Sequence, residues 1–415
     1  MKAVRLAALA TFALAALVSC SDLFDTAEQC TTDRDCEKFS AVCDVTHGVC
    51  VDRGAQDEGG TPPPPPPSTE GGSDAPVDPM CDVPNKPTAT VGGSPTDGGL
   101  DGGPAFEITT STTLDCSKNW LLKGRVFVRS GATLTIQAGT TIKGEKASGG
   151  ELVIAAGAKI VASGLRDRPI VFTSDQSTPH AGDWGGLTVL GNAPPANGAV
   201  VNGDPALPYG GSTFDDASGV IGFVRIEYGV QGLVLAGVGN KTQVDAVMVR
   251  ETGDNCFSLY GGTVDAKHLV CQWPGDELFE MNDGYSGRLQ FLFGQNMPPG
   301  STEQNGLLDS TLSAPTIYNA TVCGSSKTDP NYGLVVRDTS KLTAANVIVT
   351  GWFAGIDMRG VIATPTPDLR SSIVFGNGTN PAYVEDAEVT DDTSPFFNDD
   401  NGFDEVGWFR DAARG

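Results

Sequence analysis

The sequence predicts an all-β fold, a parallel β-solenoid, because short apolar segments recur at a regular spacing with glycines between them. The apolar triplets at residues 134–136, 152–154 and 170–172 lie eighteen residues apart, and this spacing predicts the length of one solenoid coil. A triplet cannot bury its apolar face alone, so successive copies must stack and share one core. No stretch has helical periodicity over a length that would predict a helix.

Residues 1–19 are predicted to be a bacterial lipoprotein signal peptide. Lys2 and Arg5 precede an apolar run that ends at Val18 and is too short to span a bilayer. The end of this run is similar to a lipobox, which implies cleavage before Cys20 and acylation of Cys20. The predicted location is therefore the outer membrane, on the cell surface, through a lipid anchor. An ordinary secretory signal, with Cys20 in a disulfide, is the alternative.

Residues 20–52 are predicted to be a small disulfide module, since Cys30, Cys36, Cys43 and Cys50 lie close together in an exported chain. Two disulfides with three possible pairings follow. A zinc site is the alternative. It is disfavoured because the spacing lacks the C-x-x-C pairs of structural zinc motifs.

Residues 53–104 are predicted to be a Pro/Gly-rich, disordered linker. They contain glycine pairs, acidic residues and six consecutive prolines at positions 62–67, with little apolar surface to bury. The proline run predicts a stiff polyproline II spacer between flexible segments. The linker would hold the following domain away from the membrane.

Residues 105–395 are predicted to form the solenoid, and the aromatic residues within 396–415 predict a cap on its last coil. A cap is expected because an exposed terminal strand edge invites aggregation. Prolines and glycines at 191–219 predict a long loop that projects from the stack. Beyond this loop the spacing lengthens to twenty-two residues in the series Leu235, Phe257 and Phe279.

The five remaining cysteines allow two disulfides within the solenoid region. Cys81 and Cys116 could staple the end of the linker onto the first coil, and Cys256 and Cys271 could bridge neighbouring coils. Cys323 would then be a buried free thiol. Spacing alone proves neither pair.

The formal net charge is -24, which argues against nucleic acid as a partner. No cluster of Lys and Arg with interleaved aromatic residues offsets the repulsion that a polyanion would meet. The predicted partners are the membrane, through the lipid anchor, and a polysaccharide or a cell-surface protein. The acidity also favours divalent cations.

Acidic residues recur at one position of two consecutive coils, where the twenty-two-residue spacing aligns Asp254 with Asp276. Stacked coils place equivalent residues about 4.8 Å apart, so two carboxylates there either share a cation or have one raised pKa. The simplest interpretation is that these residues cap turns. The second is a calcium site, with the candidate ligands Asp254, Asp276, Glu277, Glu280 and Asp283. The third is an acid/base group for glycan cleavage, with the candidates Asp254, Asp276 and Glu277.

Several aromatic residues occur around the predicted loop and the acidic coils. Flat rings can stack on sugars or on protein surfaces, and the wall of a solenoid offers an extended platform. The alternative is that these side chains pack under the loop. The candidate ligand-binding residues are Trp184, Tyr209, Tyr228, Tyr260, Trp273 and Tyr285.

Three segments resemble a family of exported bacterial right-handed parallel β-helix proteins: GDWGGL at 182–187, VRIEY at 224–228 and GGTV at 261–264. The resemblance implies a right-handed, surface-exposed solenoid, often on a lipoprotein, without a settled activity. It also implies a distant similarity in fold to pectin-degrading enzymes. Residues 275–277 (GDE) resemble part of a polygalacturonase motif, but the His-Gly and Arg-Ile-Lys motifs of those hydrolases do not follow.

The function that these observations predict is non-catalytic binding of a glycan or another surface partner, in an adhesion or envelope role. Polysaccharide lyase or glycoside hydrolase activity at the acidic residues is the first alternative. A purely structural envelope or coat component is the second. Arg250, Arg288, Arg337 and Arg359 are available as a lyase base, but each is expected to be a surface residue or the partner of a nearby acid.

Overall fold

The computed structural model describes residues 41–44, 49–52, 81, 85–93, 106–198, 200–296, 304–326, 328–329, 331–337, 340–359, 368–375, 377 and 383–385. The predicted signal peptide, the cap at 396–415, and Cys20, Cys30 and Cys36 lie outside these residues. Within them, no helix is both long enough and apolar enough to cross a membrane.

The contacts of the chain divide it into two units, Met1–Pro63 and Pro64–Gly415. In the first unit, β1 (Ala41–Asp44) pairs antiparallel with β2 (Val49–Asp52), and this register places Cys43 opposite Cys50. The pairing of the predicted disulfide module stays a prediction.

The second unit is a stack of parallel strands, as predicted. One sheet, called the front sheet here, has eleven strands. In chain order they are β4 (Phe106–Ile108), β7 (Arg125–Val128), β10 (Glu151–Ile154), β13 (Gly186–Leu190), β15 (Leu233–Ala236), β17 (Phe257–Tyr260), β19 (Phe279–Asn282), β21 (Leu307–Asp309), β23 (Tyr332–Arg337), β25 (Ala354–Arg359) and β28 (Tyr383–Glu385).

The second sheet, called the back sheet, completes each coil. Its main path comprises β3 (Thr88–Gly92), β6 (Asn119–Lys123), β9 (Thr141–Gly144), β12 (Ile170–Ser174), β14 (Gly219–Glu227), β16 (Gln243–Arg250), β18 (Ala266–Gln272), β20 (Arg288–Gln295), β22 (Thr316–Cys323), β24 (Thr343–Thr350) and β26 (Asp368–Arg370). The strands off this path are β5 (Thr112–Leu114), β8 (Thr133–Ile136), β11 (Lys159–Ser163) and β27 (Ile373–Phe375). Two short 3-10 helices, Lys146–Ser148 and Val201–Gly203, interrupt the strands.

In the first coils the back sheet is split into two faces, which join in the long strand β14. Val220 of β14 continues the stack of β11, whereas Val224 continues that of β12. Between them Phe223 has a φ of 49°, and His268 and Phe291 have φ values of 53° and 59° at the matching bends of β18 and β20. The strand register omits these bend residues. Each coil therefore has three faces around one core.

The spacing of eighteen residues is not the length of a coil, and this prediction is wrong. Leu134 pairs with Ile160 and Leu152 pairs with Val126, so a coil has 26 residues there (160 − 134 and 152 − 126). The three apolar triplets lie in β8, β10 and β12, on three different faces of the coils. The spacing of eighteen residues is about two thirds of a coil, so each triplet lies two faces further along the chain than the one before. They all contribute to the core, where Leu134, Leu152 and Ile170 are fully buried.

In the later coils the spacing of twenty-two residues is confirmed for Phe257 and Phe279, whose rings stack with centroids 5.2 Å apart. It is wrong for Leu235, which pairs with Leu259. The coil from β15 to β17 is therefore two residues longer than the coil from β17 to β19. Apolar residues that point inward from all three faces form a single cluster along the stack.

Residues 191–218, called the strap here, do not project from the stack, so the prediction of a projecting loop is wrong. The strap folds back over the outer side of the front sheet, where Val201, Leu207 and Tyr209 pack on Phe127 and Val153 in a second apolar cluster. Polar contacts hold the middle of the strap on the front sheet at two places. At one of these, Arg125 bonds Asp204 and Glu151, each at 2.6 Å. At the other, the Tyr209 hydroxyl donates to Asp283 at 2.6 Å.

The disulfides Cys81–Cys116 and Cys256–Cys271 are confirmed. Cys323 is also disulfide-bonded, so the prediction of a free thiol is wrong. The predicted linker ends too late, because β3 (Thr88–Gly92) lies within it and pairs in parallel with β6. The threonines of β3 have a high propensity for strands. The segment forms a strand because it pairs with β6, which lies about thirty residues further along the chain.

Candidate functional site

The acidic residues of two successive coils line one open cleft beside the front sheet. Asp254 precedes β17, whereas Asp276 and Glu277 precede β19, and the pairing of Phe257 with Phe279 brings the two turns together. The Gly275 amide donates to the Asp254 carbonyl at 3.1 Å, which fixes their stacking. The cleft has a volume of about 420 Å³, and its lining residues are Gly253, Asp254, Gly275, Asp276, Glu277, Asn305 and Arg337.

Asp254 is held at one side of this cleft by Gln231 of the preceding coil, whose side-chain amide donates to the Asp254 carboxyl. Burial raises the pKa of Asp254, while hydrogen bonds from the Asn255 amide and from Gln231 oppose the shift. The hydroxyl of Thr252 donates to the Asp254 carbonyl at 2.7 Å and fixes the turn. Asp254 is therefore a positioned carboxyl group.

Glu277 lies at the centre of the cleft and is only 7% exposed. Its backbone amide donates to Asn255 Oδ1 at 2.8 Å, and its carboxyl oxygen Oε1 accepts from Asn305 Nδ2 at 3.0 Å. Burial, followed by the negative charge of Asp276, raises the pKa of Glu277 to about 8. At neutral pH Glu277 thus holds a proton beside Asp276.

Glu280 and Asp283 do not line the cleft. Glu280 Oε2 accepts from Asn255 Nδ2 and from the Tyr260 hydroxyl, both at 2.8 Å. Asp283 holds the strap, because its carboxylate accepts from the Tyr209 hydroxyl and, at 2.8 Å, from the backbone amide of Asn197. The structure therefore divides the five candidate calcium ligands among three different roles.

The five candidate calcium ligands do not form one cluster among the described residues. Nowhere in the described ranges are three His, Cys, Asp or Glu side chains placed to hold a metal. Calcium takes six to eight oxygen ligands, and metal binding displaces protons from the groups that coordinate the ion. Calcium binding at these residues stays an untested prediction.

Four of the six candidate aromatic residues are buried, so the prediction that they are exposed is wrong for them. Trp184 and Tyr285 lie in the main core, and Tyr209 and Tyr260 lie under the strap. Trp184 is 1% exposed and donates from Nε1 to the Glu227 carbonyl at 2.7 Å. Only Tyr228 and Trp273 are half-buried and retain ring surface that a ligand can reach.

Arg337 has a position that the sequence did not predict. It ends β23, two coils beyond Glu277, and its side chain lines the same cleft. Within the part of the chain that the structure describes, its buried Nε has no hydrogen-bond partner and its guanidinium forms no ion pair. A guanidinium that faces an acidic cleft without pairing there is available to a ligand.

The cleft therefore combines hydrogen-bond acceptors, a proton donor and a cation. Asp254 and Asp276 accept, Asn305 and the protonated Glu277 donate, and Arg337 offers a planar fork of donors. Sequence reasoning found the acids and named Arg337 only as one of four arginines available as a lyase base, but it missed Asn305. The coil between Phe279 and Leu307 is longer than its neighbours, so no regular spacing revealed that Asn305 follows Glu277 in the stack.

We expect the protonation of Glu277 to make stability depend on pH. The pKa of Glu277 in the folded protein, about 8, lies above the ordinary value of 4.5. The stabilisation that its protonation provides is therefore fully present below pH 4.5 and is lost as the pH rises towards 8. Glu277→Gln should remove this part of the slope. The measurement is urea unfolding of both proteins from pH 5 to 8.5. Parallel curves for the two proteins would contradict the assignment.

A family model described as a pectate-lyase-like β-helix domain matches residues 106–366, well over half of the 415 residues. No curated protein and no solved structure matched the chain. The matched region begins with β4 and includes the cleft, the strap and both sheets. A parallel solenoid with three-faced coils agrees with the description of that family. The chain belongs to the pectate-lyase-like β-helix domain family.

Proposed function

We propose that this protein binds a glycan chain in the cleft, and that it does so at the cell envelope. The observation that carries the proposal is the side chain of Arg337, whose buried Nε has no hydrogen-bond partner among the described residues, in the same cleft as Asp254, Asp276 and Glu277. Sugar hydroxyls both donate and accept, so a site of mixed carboxyl, amide and guanidinium groups suits them. The envelope location rests on the predicted lipobox at Cys20 and on the cysteine-rich start of the chain.

The direction of the ligand follows from the stacking of the coils. Asp254, Glu277, Asn305 and Arg337 come from four consecutive coils, and neighbouring strands lie about 4.8 Å apart. Asp254, Glu277 and Asn305 lie just before their strands, whereas Arg337 lies five residues beyond the position that aligns with Asn305. A chain that contacts the first three residues runs along the stack. An extended oligosaccharide of several units meets this condition better than a single sugar.

The charges of the cleft favour a neutral glycan. Asp254 and Asp276 would repel the repeated carboxylates of a polyuronate, and Arg337 can offset only one of them. Among the described residues no aromatic ring lines the cleft, so the contacts that they offer to a sugar are hydrogen bonds. A uronate chain bridged by calcium is the competing ligand, and the same experiment includes it.

The test is isothermal titration calorimetry with cellohexaose, and with hexagalacturonate in the presence of either calcium or a chelator. We expect micromolar to millimolar binding of the neutral chain without calcium. Asp276→Asn and Arg337→Gln should each weaken it at least about tenfold, since a hydrogen bond to a charged group contributes about 1.5–3 kcal/mol. Arg288→Gln is the control, because Arg288 pairs with Asp265 outside the cleft.

Two results would contradict the proposal of neutral-glycan binding. The first is that neither oligosaccharide binds in any condition. The second is that hexagalacturonate binds, and only with calcium, whereas the neutral chain does not bind. In the second case the residues of the cleft serve a metal-bridged ligand instead.

Glycan cleavage is the second candidate function, because Glu277 holds a proton at neutral pH beside an ionisable Asp276. A carboxyl group with a raised pKa can act as a general acid. Asp254, from the preceding coil of the same cleft, is the candidate base or nucleophile, because the two carboxyl groups of a glycosidase stand about 5–9.5 Å apart and do not bond each other. Reducing-end assays on neutral polysaccharides test it. Activity that disappears in Glu277→Gln would support cleavage, whereas activity that survives alanine at Asp254, Asp276 and Glu277 would reject it.

A further inference from the structure

A pair of amide side chains is stacked directly on the acid pair of the cleft. The pairing of Phe279 with Leu307 aligns Asp276 with Gln304, and Glu277 with Asn305. Gln304 is 0% exposed and Asn305 is 1% exposed. Two buried amides that follow two acids at the same position of the next coil must find hydrogen-bond partners there.

Gln304 uses its side-chain nitrogen to hold the backbone that leads into the acid pair. Its Nε2 donates to the Pro274 carbonyl at 2.8 Å and to the Gly275 carbonyl at 3.3 Å. The Gln304 backbone is itself fixed, since its amide donates to Asn331 Oδ1 at 2.9 Å. The turn before Asp276 is therefore tied to the next coil through one side chain.

Asn305 holds the carboxyl group of Glu277 from the same side. Its Nδ2 donates to Glu277 Oε1 at 3.0 Å, while its Oδ1 accepts from the Tyr332 amide at 3.3 Å. Because Oδ1 is already committed to a backbone donor, the amide is oriented with its nitrogen towards Glu277. Asn305 thus determines which oxygen of Glu277 faces the next coil.

The preceding coil supports the acid pair from the other side. A Cβ atom on Gly275 would lie 2.1 Å from the Gly253 carbonyl oxygen, so this turn packs against the coil before it without free space. Asn255 accepts from the Glu277 amide. Asp276 and Glu277 therefore cannot move towards the preceding coil if their contacts with the following coil are lost.

We propose that Gln304 and Asn305 are positioning residues, which fix the backbone of Asp276 and the carboxyl orientation of Glu277 and thereby set the affinity of the cleft. The inference rests on the proposed function, and it deepens it by assigning the residues that hold the binding groups. Neither amide needs to contact the ligand for this role, although Asn305 also lines the cleft.

The charged groups around Glu277 define what a change at Asn305 should do. Asp276 and Glu280 raise the pKa of Glu277, and the amide of Asn305 lowers it. Asp254 and Arg337 line the same cleft. Asn305→Asp removes the donor and adds a negative charge, so both effects favour the protonated form of Glu277.

The test measures the titration of Glu277 without any ligand, by carbon-13 NMR of its carboxyl group in the full chain. We expect Asn305→Asp to raise the midpoint by about one pH unit or more, and Asn305→Ala by less, because a lost hydrogen bond contributes about 1 kcal/mol. Gln304→Leu should move the midpoint through the backbone of Asp276. Asn346→Asp is the matched control, because Asn346 bonds Asn319 between coils outside the cleft, at 3.1 Å.

The affinity for cellohexaose gives the second readout, with an expected loss of at least about tenfold in Gln304→Leu and Asn305→Asp. If Asn305→Asp does not fold, Asn305→Ala and Gln304→Asn replace it, and Gln304→Asn should keep part of the affinity. An unchanged midpoint in all folded variants overturns the inference. Absence of binding by the unmodified protein contradicts only the proposed function, because a shifted midpoint still establishes that the amides hold the acid pair.

Discussion

Replacing Asp309 with Met should raise the free energy of unfolding by about 2–4 kcal/mol. Asp309 lies in β21 at the position that Met281 occupies in β19 and Val336 in β23, and both of these point into the main core. It is 0% exposed, and among the described residues neither of its carboxyl oxygens has a hydrogen-bond partner. A buried polar group without a partner is costly, and Met restores the apolar column.

The gain should depend on pH with a defined sign. Burial raises the pKa of Asp309 well above its ordinary value, so the wild-type protein loses stability as the pH rises from the unfolded pKa towards the folded one. The variant carries no such group, and its advantage should grow with pH. Asp309→Asn is the control, because it removes the titration but keeps a buried polar group. Urea unfolding measures all three proteins, and a less stable Asp309→Met would show that the carboxyl has a partner in the folded state.

Excision of residues 192–209 of the strap should lower the free energy of unfolding by at least about 3 kcal/mol. It should also expose an apolar surface. The ends of this segment are already close, because the Gly210 amide donates to the Gly191 carbonyl at 2.9 Å. Its removal takes away Val201, Leu207 and Tyr209, each of which contributes about 1.5–3 kcal/mol through burial, less the entropy of ordering the segment. It also uncovers an outer face whose apolar residues are Phe127, Val153, Leu190, Val234 and Ala236.

Thermal unfolding and binding of an anilinonaphthalene dye are the measurements for the strap. We expect a lower Tm and strong dye fluorescence, since an apolar patch of several hundred Å² is unusual on a free surface. Leu207→Asp should act in the same direction with a smaller effect. Phe214→Ser is the control, because Phe214 belongs to the strap but is 62% exposed. A strapless protein with unchanged Tm and no dye binding would show that the front sheet does not need this cover.

The acids of the cleft were predictable because the coils around them are regular. Phe257 and Phe279 lie twenty-two residues apart and do pair, so the alignment of Asp254 with Asp276 is also correct. Asn305 and Arg337 were not predictable in the same way. Phe279 pairs with Leu307, which lies twenty-eight residues later, and insertions of this kind leave no periodic signal.

The aromatic residues illustrate a second reason why sequence reasoning failed in part. Trp184, Tyr209 and Tyr260 occur in a region rich in loop residues, which favoured exposure. Their burial depends on the strap folding back over the front sheet and on the turn around Trp184 entering the core. A loop that covers a sheet and a loop that projects from it have the same composition, because both need turn residues and some apolar side chains.

The all-β parallel stack could be inferred from the sequence alone, since triplets too short to be buried alone must share a core. The sequence also indicated which acids recur on neighbouring coils, whereas the pairing of the cysteines was only proposed from spacing and was established by the structure. The length of a coil, the path of the strap, and the convergence of Arg337, Asn305 and Glu277 became apparent only in the folded chain. The physical reason is that local patterns specify which face of a strand is buried, whereas contacts between coils depend on every residue inserted between them.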